Sequence, residues 1–225
     1  YFANPGPDGK FNPSFYFHWE DFNNELINNW KDITTTLLSI PMAHQLIGFY
    51  TVADDNDCTL KVMRSYQYYA ANKISDVVAK TDWTNPNTRG GYVWHTTGSG
   101  KTMTSFKSAQ LIANSKDADK VIFLMDRVEL GTQSLDEYQG FADDRDDVAG
   151  TDNTKELITK LKDDKHILIV TSIQKMSLIK SIIGAYTHDL NEINKKRIVF
   201  IVDECHRDTF GTMMATIKET FPRAI

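Results

Sequence analysis

The sequence predicts a three-layer α/β fold built on a parallel sheet, on three observations. Four short apolar runs, at 92–94 (YVW), 121–125 (VIFLM), 167–170 (ILIV) and 198–202 (IVFIV), are nearly continuous, as strands buried on both faces are. Each run is followed by a stretch long enough for a helix, at roughly 101–114, 127–139, 173–183 and 206–220. Right-handed crossovers between parallel strands would gather the strand carboxyl ends on one edge, where ligands of open α/β sheets bind.

The elements fall in two regions. Residues 1–60 are rich in Asn, Asp and aromatics, with loop punctuation at Asn4-Pro5-Gly6-Pro7-Asp8-Gly9. They read as a linker or extension. Its aromatic cluster of Phe15, Tyr16, Phe17, Trp19 and Phe22 is expected to pack on a neighbouring domain. Asp54-Asp55-Asn56-Asp57 lacks the glycine and distal glutamate of a calcium loop and reads as a solvated turn. Residues 61–225 carry the orderly strand–helix pattern and form the α/β lobe, with Asp143-Asp144-Arg145-Asp146-Asp147 as a solvated acidic loop between the second and third strands.

A chain of 225 residues suits one large domain, or one domain with an appendage. With 41% hydrophobic and 24% charged residues it is neither disordered, collagen-like nor mucin-like. No apolar run approaches the ~20 residues of a membrane span, and no signal peptide opens the chain. Cys58 and Cys205 lie far apart without ligand spacing, so they read as reduced thiols of a cytoplasmic protein. A net charge of −5 argues against nucleic-acid binding by bulk charge and leaves a local basic groove open. The chain opens at Tyr1 and stops after FPRAI, the mark of a fragment of something larger.

The strongest local signal is His95-Thr96-Thr97-Gly98-Ser99-Gly100-Lys101-Thr102, expected between a strand and a helix. Gly98 and Gly100 let the backbone from Thr97 through Ser99 curl so that successive N–H groups face one point, an anion nest capped by a helix N-terminus. Lys101 can reach the β- and γ-phosphates of ATP, and the Thr102 hydroxyl can ligate Mg2+. The general pattern wants glycine at 95, where this chain has histidine.

The second signal is Val202-Asp203-Glu204-Cys205-His206, at the carboxyl end of the last strand. Asp203 would hold Mg2+, through water, and Glu204 could accept a proton from the water attacking the γ-phosphate. Alone, an acidic pair after a strand is more often a helix-capping turn; the phosphate loop about a hundred residues earlier reverses those odds.

Together these two motifs resemble superfamily 2 helicases and translocases, in which the second is the DExH box. The resemblance implies a P-loop RecA-like fold and extends to weaker stretches. Leu124-Met125-Asp126-Arg127-Val128-Glu129-Leu130, followed by Gln133, resembles motif Ia, and Thr171-Ser172-Ile173-Gln174-Lys175 resembles the motif that touches the nucleic-acid backbone. Arg127, Thr171, Gln174 and Lys175 are therefore the candidate DNA contacts. Arg64-Ser65-Tyr66-Gln67 lies where the superfamily places an adenine-reading glutamine, which makes Gln67 and Arg64 candidate adenine contacts. His206 would sense the γ-phosphate. His18, His44, His166 and His188 read as structural or exposed.

The wording narrows further. GGYVWHTTGSGKTMTSFKSAQLI, FLMDRVELGTQ, VTSIQKM and FIVDECHRDTFG closely resemble the restriction (R) subunit of type I restriction-modification enzymes, a family that tends to show histidine at position 95 after Trp94. The resemblance covers roughly 60–225 and implies the first RecA-like lobe of a motor that hydrolyses ATP to pull double-stranded DNA, coupled to endonucleolytic cleavage. It implies methyltransferase (M) and specificity (S) subunits as partners and no membrane. It also places a nuclease domain before this segment and a second lobe with an arginine finger after it, so the isolated chain is expected to hold nucleotide and hydrolyse it poorly. The alternatives are another superfamily 2 enzyme, a nucleotide-gated interaction module without turnover and, more remotely, a small-molecule kinase.

Overall fold

A computed structural model describes residues 9–10, 16–85, 90–125, 128–183, 187–203 and 208–225. Arg127, Glu204, Cys205 and His206 lie outside the described residues. The elements are α1 (Trp30–Thr35), α2 (Ile40–Phe49), β1 (Thr51–Asp54), β2 (Thr59–Val62), α3 (Ser65–Ala79), α4 (Lys101–Ser115), β3 (Lys120–Met125), α5 (Val128–Phe141), β4 (Val148–Ala149), α6 (Thr154–Lys162), β5 (Leu168–Ser172), α7 (Ile173–Ser177), α8 (Ile179–Ile183), α9 (Thr187–Ile193), β6 (Ile198–Val202) and α10 (Asp208–Thr220).

Three of the four apolar runs form strands of one parallel sheet, in the order β4-β5-β3-β6. Its register sets Val121 beside Leu168 and Val199, and Met125 beside Ser172. Alternation along β3 divides the core in two. Val121, Phe123 and Met125 face Phe106 and Ala109 of α4 and Tyr138 and Phe141 of α5. Ile122 and Leu124 face Leu157, Leu161, Ile173, Ile217 and Phe221 on the opposite side. Helices on both faces explain why these strands read as unbroken apolar runs. The result is a RecA-like three-layer lobe.

The fourth run departs from expectation. Residues 92–94 form no strand; Tyr92 and Trp94 are 87% and 88% exposed. The outer edge of β6 is paired instead with Ile225, whose carbonyl accepts from the Phe200 N–H (2.7 Å) and whose N–H donates to the Ile198 carbonyl (3.1 Å). Strand formation depends on a partner edge as much as on side-chain pattern, and among the described residues no strand pairs with this segment.

Residues 16–62 pack on the lobe through α3 and α5. Trp19, Leu37, Leu46 and Tyr50 share a core with Met63, Tyr68 and Ala71. Within the aromatic segment Trp19 is covered by this chain's own Tyr68 and Tyr69, while Phe22 stays exposed with its ring edge-on to Tyr69. The antiparallel hairpin β1–β2 turns at Asp55–Cys58, so the acidic stretch is the turn expected of it. Asp54, however, is buried and ion-paired with Lys61, which also reaches Asp57 at 2.9 Å. The hairpin is tied to α5 by the Asp55 N–H on the Gly140 carbonyl (2.9 Å), and to α4 by the Lys107 ammonium on the Thr51 carbonyl (3.0 Å).

Candidate nucleotide site

The glycines of the loop are where the backbone needs them. Gly98 and Gly100 sit at φ +75° and +77°, in the left-handed region that other residues enter only at a cost. Gly100 caps α4, leaving Lys101 and Thr102 in its first turn. A β-carbon on Gly100 would lie 2.4 Å from Gln67 Nε2 and would push that amide off the loop, besides straining the left-handed backbone.

That close approach has a purpose. Gln67 Nε2 donates to the Ser99 carbonyl (3.1 Å) and the Gly100 carbonyl (3.4 Å), and the Tyr66 hydroxyl donates to the same Ser99 carbonyl (3.0 Å). In a planar trans peptide the N–H points opposite to the carbonyl. Carbonyls drawn towards α3 therefore turn the N–H groups of Gly100 and Lys101 the other way, on a loop that is largely exposed. The loop backbone is thus braced from behind, with two successive N–H groups turned away from α3 as an anion nest requires.

His95 is a strut of the same loop. Ser99 Oγ donates its one proton to the Thr96 carbonyl (2.7 Å), so the 3.0 Å contact between Ser99 Oγ and His95 Nδ1 requires the proton to sit on Nδ1. Burial, with the Lys101 charge beside it, pushes the imidazole below its usual pKa and favours that neutral form. The Tyr66 ring meets it edge-on at 5.8 Å.

Asp203 follows β6 directly, at the carboxyl edge of the sheet, and its N–H donates to the Leu124 carbonyl (3.1 Å). The opening of α4 presents Lys101, Thr102 and peptide N–H groups, and Asp203 stands separately on the carboxyl edge of the sheet. Those are hard oxygen donors and cationic groups, the set that suits Mg2+ and phosphate. By donor chemistry, Thr102 and Asp203 fit the cation and Lys101 with the nest fits the phosphates.

The other candidates are placed as follows. Gln67 is 3% exposed and engaged at both ends, because its Oε1 accepts from the Arg64 N–H at 2.9 Å; the amide thus faces the loop backbone. The Arg64 guanidinium lies 5.8 Å from the Phe17 ring. Thr171, Gln174 and Lys175 share the carboxyl edge with Asp203, at the end of β5 and in α7. Thr171 is buried with its hydroxyl on Thr151 (2.8 Å), and the Lys175 ammonium holds the Thr151 carbonyl. Sequence reasoning gave no role to Tyr66, Ser105 or Tyr138, because nothing in an apolar or amphipathic pattern marks where a hydroxyl points.

A glycine nest opening a helix on a RecA-like sheet defines the class: the family model of SWI2/SNF2 ATPases matches residues 66–225. Relatives are more particular. The chain is 38% identical, over 96% of its length, to a type I restriction enzyme endonuclease subunit of Staphylococcus saprophyticus, and 38% identical over its whole length to one from Staphylococcus aureus. It is 37% identical to a Mycoplasma pneumoniae protein provisionally named the C-terminal part of such a subunit, over 90% of this chain and 99% of that one. The chain belongs to the endonuclease (R) subunits of type I restriction enzymes. It spans about a quarter of the length of the two staphylococcal relatives.

Proposed function

We propose that this chain is the ATP-binding first motor lobe of a type I restriction enzyme, which uses ATP hydrolysis to translocate double-stranded DNA and, as a whole subunit, couples that movement to cleavage. The observation that carries the proposal is the loop 95–102, with both glycines in the left-handed region and the carbonyls of Ser99 and Gly100 drawn back so that neighbouring N–H groups face out. In this reading the backbone from Thr97 to Gly100 and the Lys101 ammonium grip the β- and γ-phosphates, and Thr102 and Asp203 hold Mg2+, which neutralises the phosphate oxygens. Glu204 takes a proton from the attacking water, and His206 reports the γ-phosphate. Arg64 and Gln67 lie on the adenine side. Arg127, Gln174 and Lys175 would contact the DNA backbone and add affinity without base preference, with Thr171, buried and bonded to Thr151, acting behind them and not as a direct contact. Partners of the whole protein are the M and S subunits, and its compartment is the cytoplasm; among the described residues no helix is long and apolar enough to cross a membrane.

Two measurements test this. Titration of the chain with a fluorescent ATP analogue and Mg2+ should show saturable binding that Lys101→Ala weakens about ten- to a hundredfold, the worth of a charge-assisted phosphate contact. Unchanged binding would sink the phosphate assignment. In the whole subunit with its M and S partners, ATP should drive displacement of a triplex strand from duplex DNA. Glu204→Gln should keep nucleotide and stop displacement; continued displacement would remove Glu204 as the base.

A further inference from the structure

Tyr138 has no part in the phosphate loop, yet its hydroxyl is wired to it. The residue lies towards the end of α5 with its ring fully buried between Phe106 (5.3 Å between ring centres, edge-on) and Phe123 (4.7 Å). Phenylalanine would fill that space as well, and a hydroxyl deep in an apolar core is costly unless it is bonded. Its partner is Ser105 Oγ of α4, at 2.7 Å. Ser105 passes the bond on, donating its own proton to the Thr102 carbonyl at 2.9 Å. Two hydrogen bonds thus run from α5 through α4 to the residue that offers its side chain to the cation. Burial raises the Tyr138 pKa against the lowering effect of the Ser105 hydrogen bond, so the hydroxyl keeps its proton.

We infer that Tyr138 is a positioning residue for the metal–nucleotide site, its hydroxyl fixing the first turn of α4 through Ser105 and with it the Thr102 ligand. The inference rests on the ATP and Mg2+ reading given above.

The test is nucleotide titration of the chain with Mg2+ and with EDTA, for the unsubstituted protein, Tyr138→Phe, Ser105→Ala and the double variant, beside thermal melts of each. Tyr138→Phe should reduce the gain in affinity that Mg2+ confers by about three- to tenfold, the worth of one net hydrogen bond, and leave Mg2+-free binding unchanged. Ser105→Ala should do the same with the Tyr138 ring in place, and the double variant should lose little more, since both act on one chain of bonds. A Tyr138→Phe protein with an unchanged Mg2+ effect, or with equal losses in Mg2+ and EDTA, would overturn the inference alone. A chain that shows no Mg2+-dependent nucleotide binding before any substitution would overturn the ATP reading, and the inference with it.

Discussion

Gln67 has two readings that a single substitution separates. The resemblance makes it a reader of adenine, whereas its contacts make it a brace, with one amide nitrogen shared between two loop carbonyls. Gln67→Glu keeps the shape and removes the donor. If the brace dominates, affinity for ATP and GTP should fall together, by about three- to tenfold, as the loop loses a hydrogen bond and gains a buried acceptor without a proton. If adenine reading dominates, ATP should weaken far more than GTP. A competition titration with the two nucleotides decides between them. The loop glycines were legible in the sequence because the left-handed backbone there demands that residue type, whereas Lys101, Thr102 and Asp203 are proposed for the ammonium, hydroxyl and carboxylate they bring. Tyr66 was quoted in the adenine motif and still passed over, since no rule of spacing says that its hydroxyl meets Ser99.

At the scale of elements, the hairpin β1–β2 is held to the lobe by Val52 in the main core, by Asp55 on α5 and by Lys107 of α4. The Lys107 ammonium holds the Thr51 carbonyl and Gln110 Oε1 (2.7 Å), and burial pushes its pKa down to about 8. Lys107→Ala should leave that carbonyl unpaired at about 1–3 kcal/mol and loosen the hairpin first. Hydrogen exchange should then quicken across Thr51–Val62 and stay slow in β3 and β5; uniform quickening would mean that the latch holds the lobe as a whole. Strands β3, β5 and β6 were readable because each is an apolar run covered by helices on both sides. The run at 92–94 carries the same pattern but pairs with no strand among the described residues, and pairing is a tertiary property that a window of three residues cannot encode. β4 has only two residues, Val148 and Ala149, too few for any periodicity.

Over the whole molecule, polar groups are concentrated at both ends of the sheet. Opposite the loop end, Lys120 is fully buried at the start of β3 and donates to the Lys160 and His166 carbonyls (2.6 Å each) and to Asp163 (3.2 Å). Asp163 also accepts from the His166 ring at 2.6 Å. Burial alone would raise the Asp163 carboxyl; the His166 N–H and ring and the Lys120 ammonium outweigh it and hold the pKa at about 2, against 3.8. A carboxyl lowered on folding stabilises the protein above its unfolded pKa and loses that contribution as pH falls through the folded value. The stability from this cluster, about 1–2 kcal/mol once partial exposure is allowed for, should therefore be complete above pH ~4 and fade towards pH ~2. Asp163→Asn should lower the unfolding midpoint at pH 7 and flatten that acid slope. An unchanged slope would place the acid-sensitive group elsewhere.

The segment that formed no strand leaves the chain with a built-in optical probe. Trp94 stands in water one residue before His95, whereas Trp19 is buried, Trp83 is half-buried against the core and Trp30 is exposed in α1, away from the loop in sequence. With Trp30 and Trp83 replaced by phenylalanine, red-edge emission would come chiefly from the indole next to the glycine loop. Acrylamide quenching of that emission would then follow the covering of the loop by nucleotide, or by a neighbouring strand, without any attached dye.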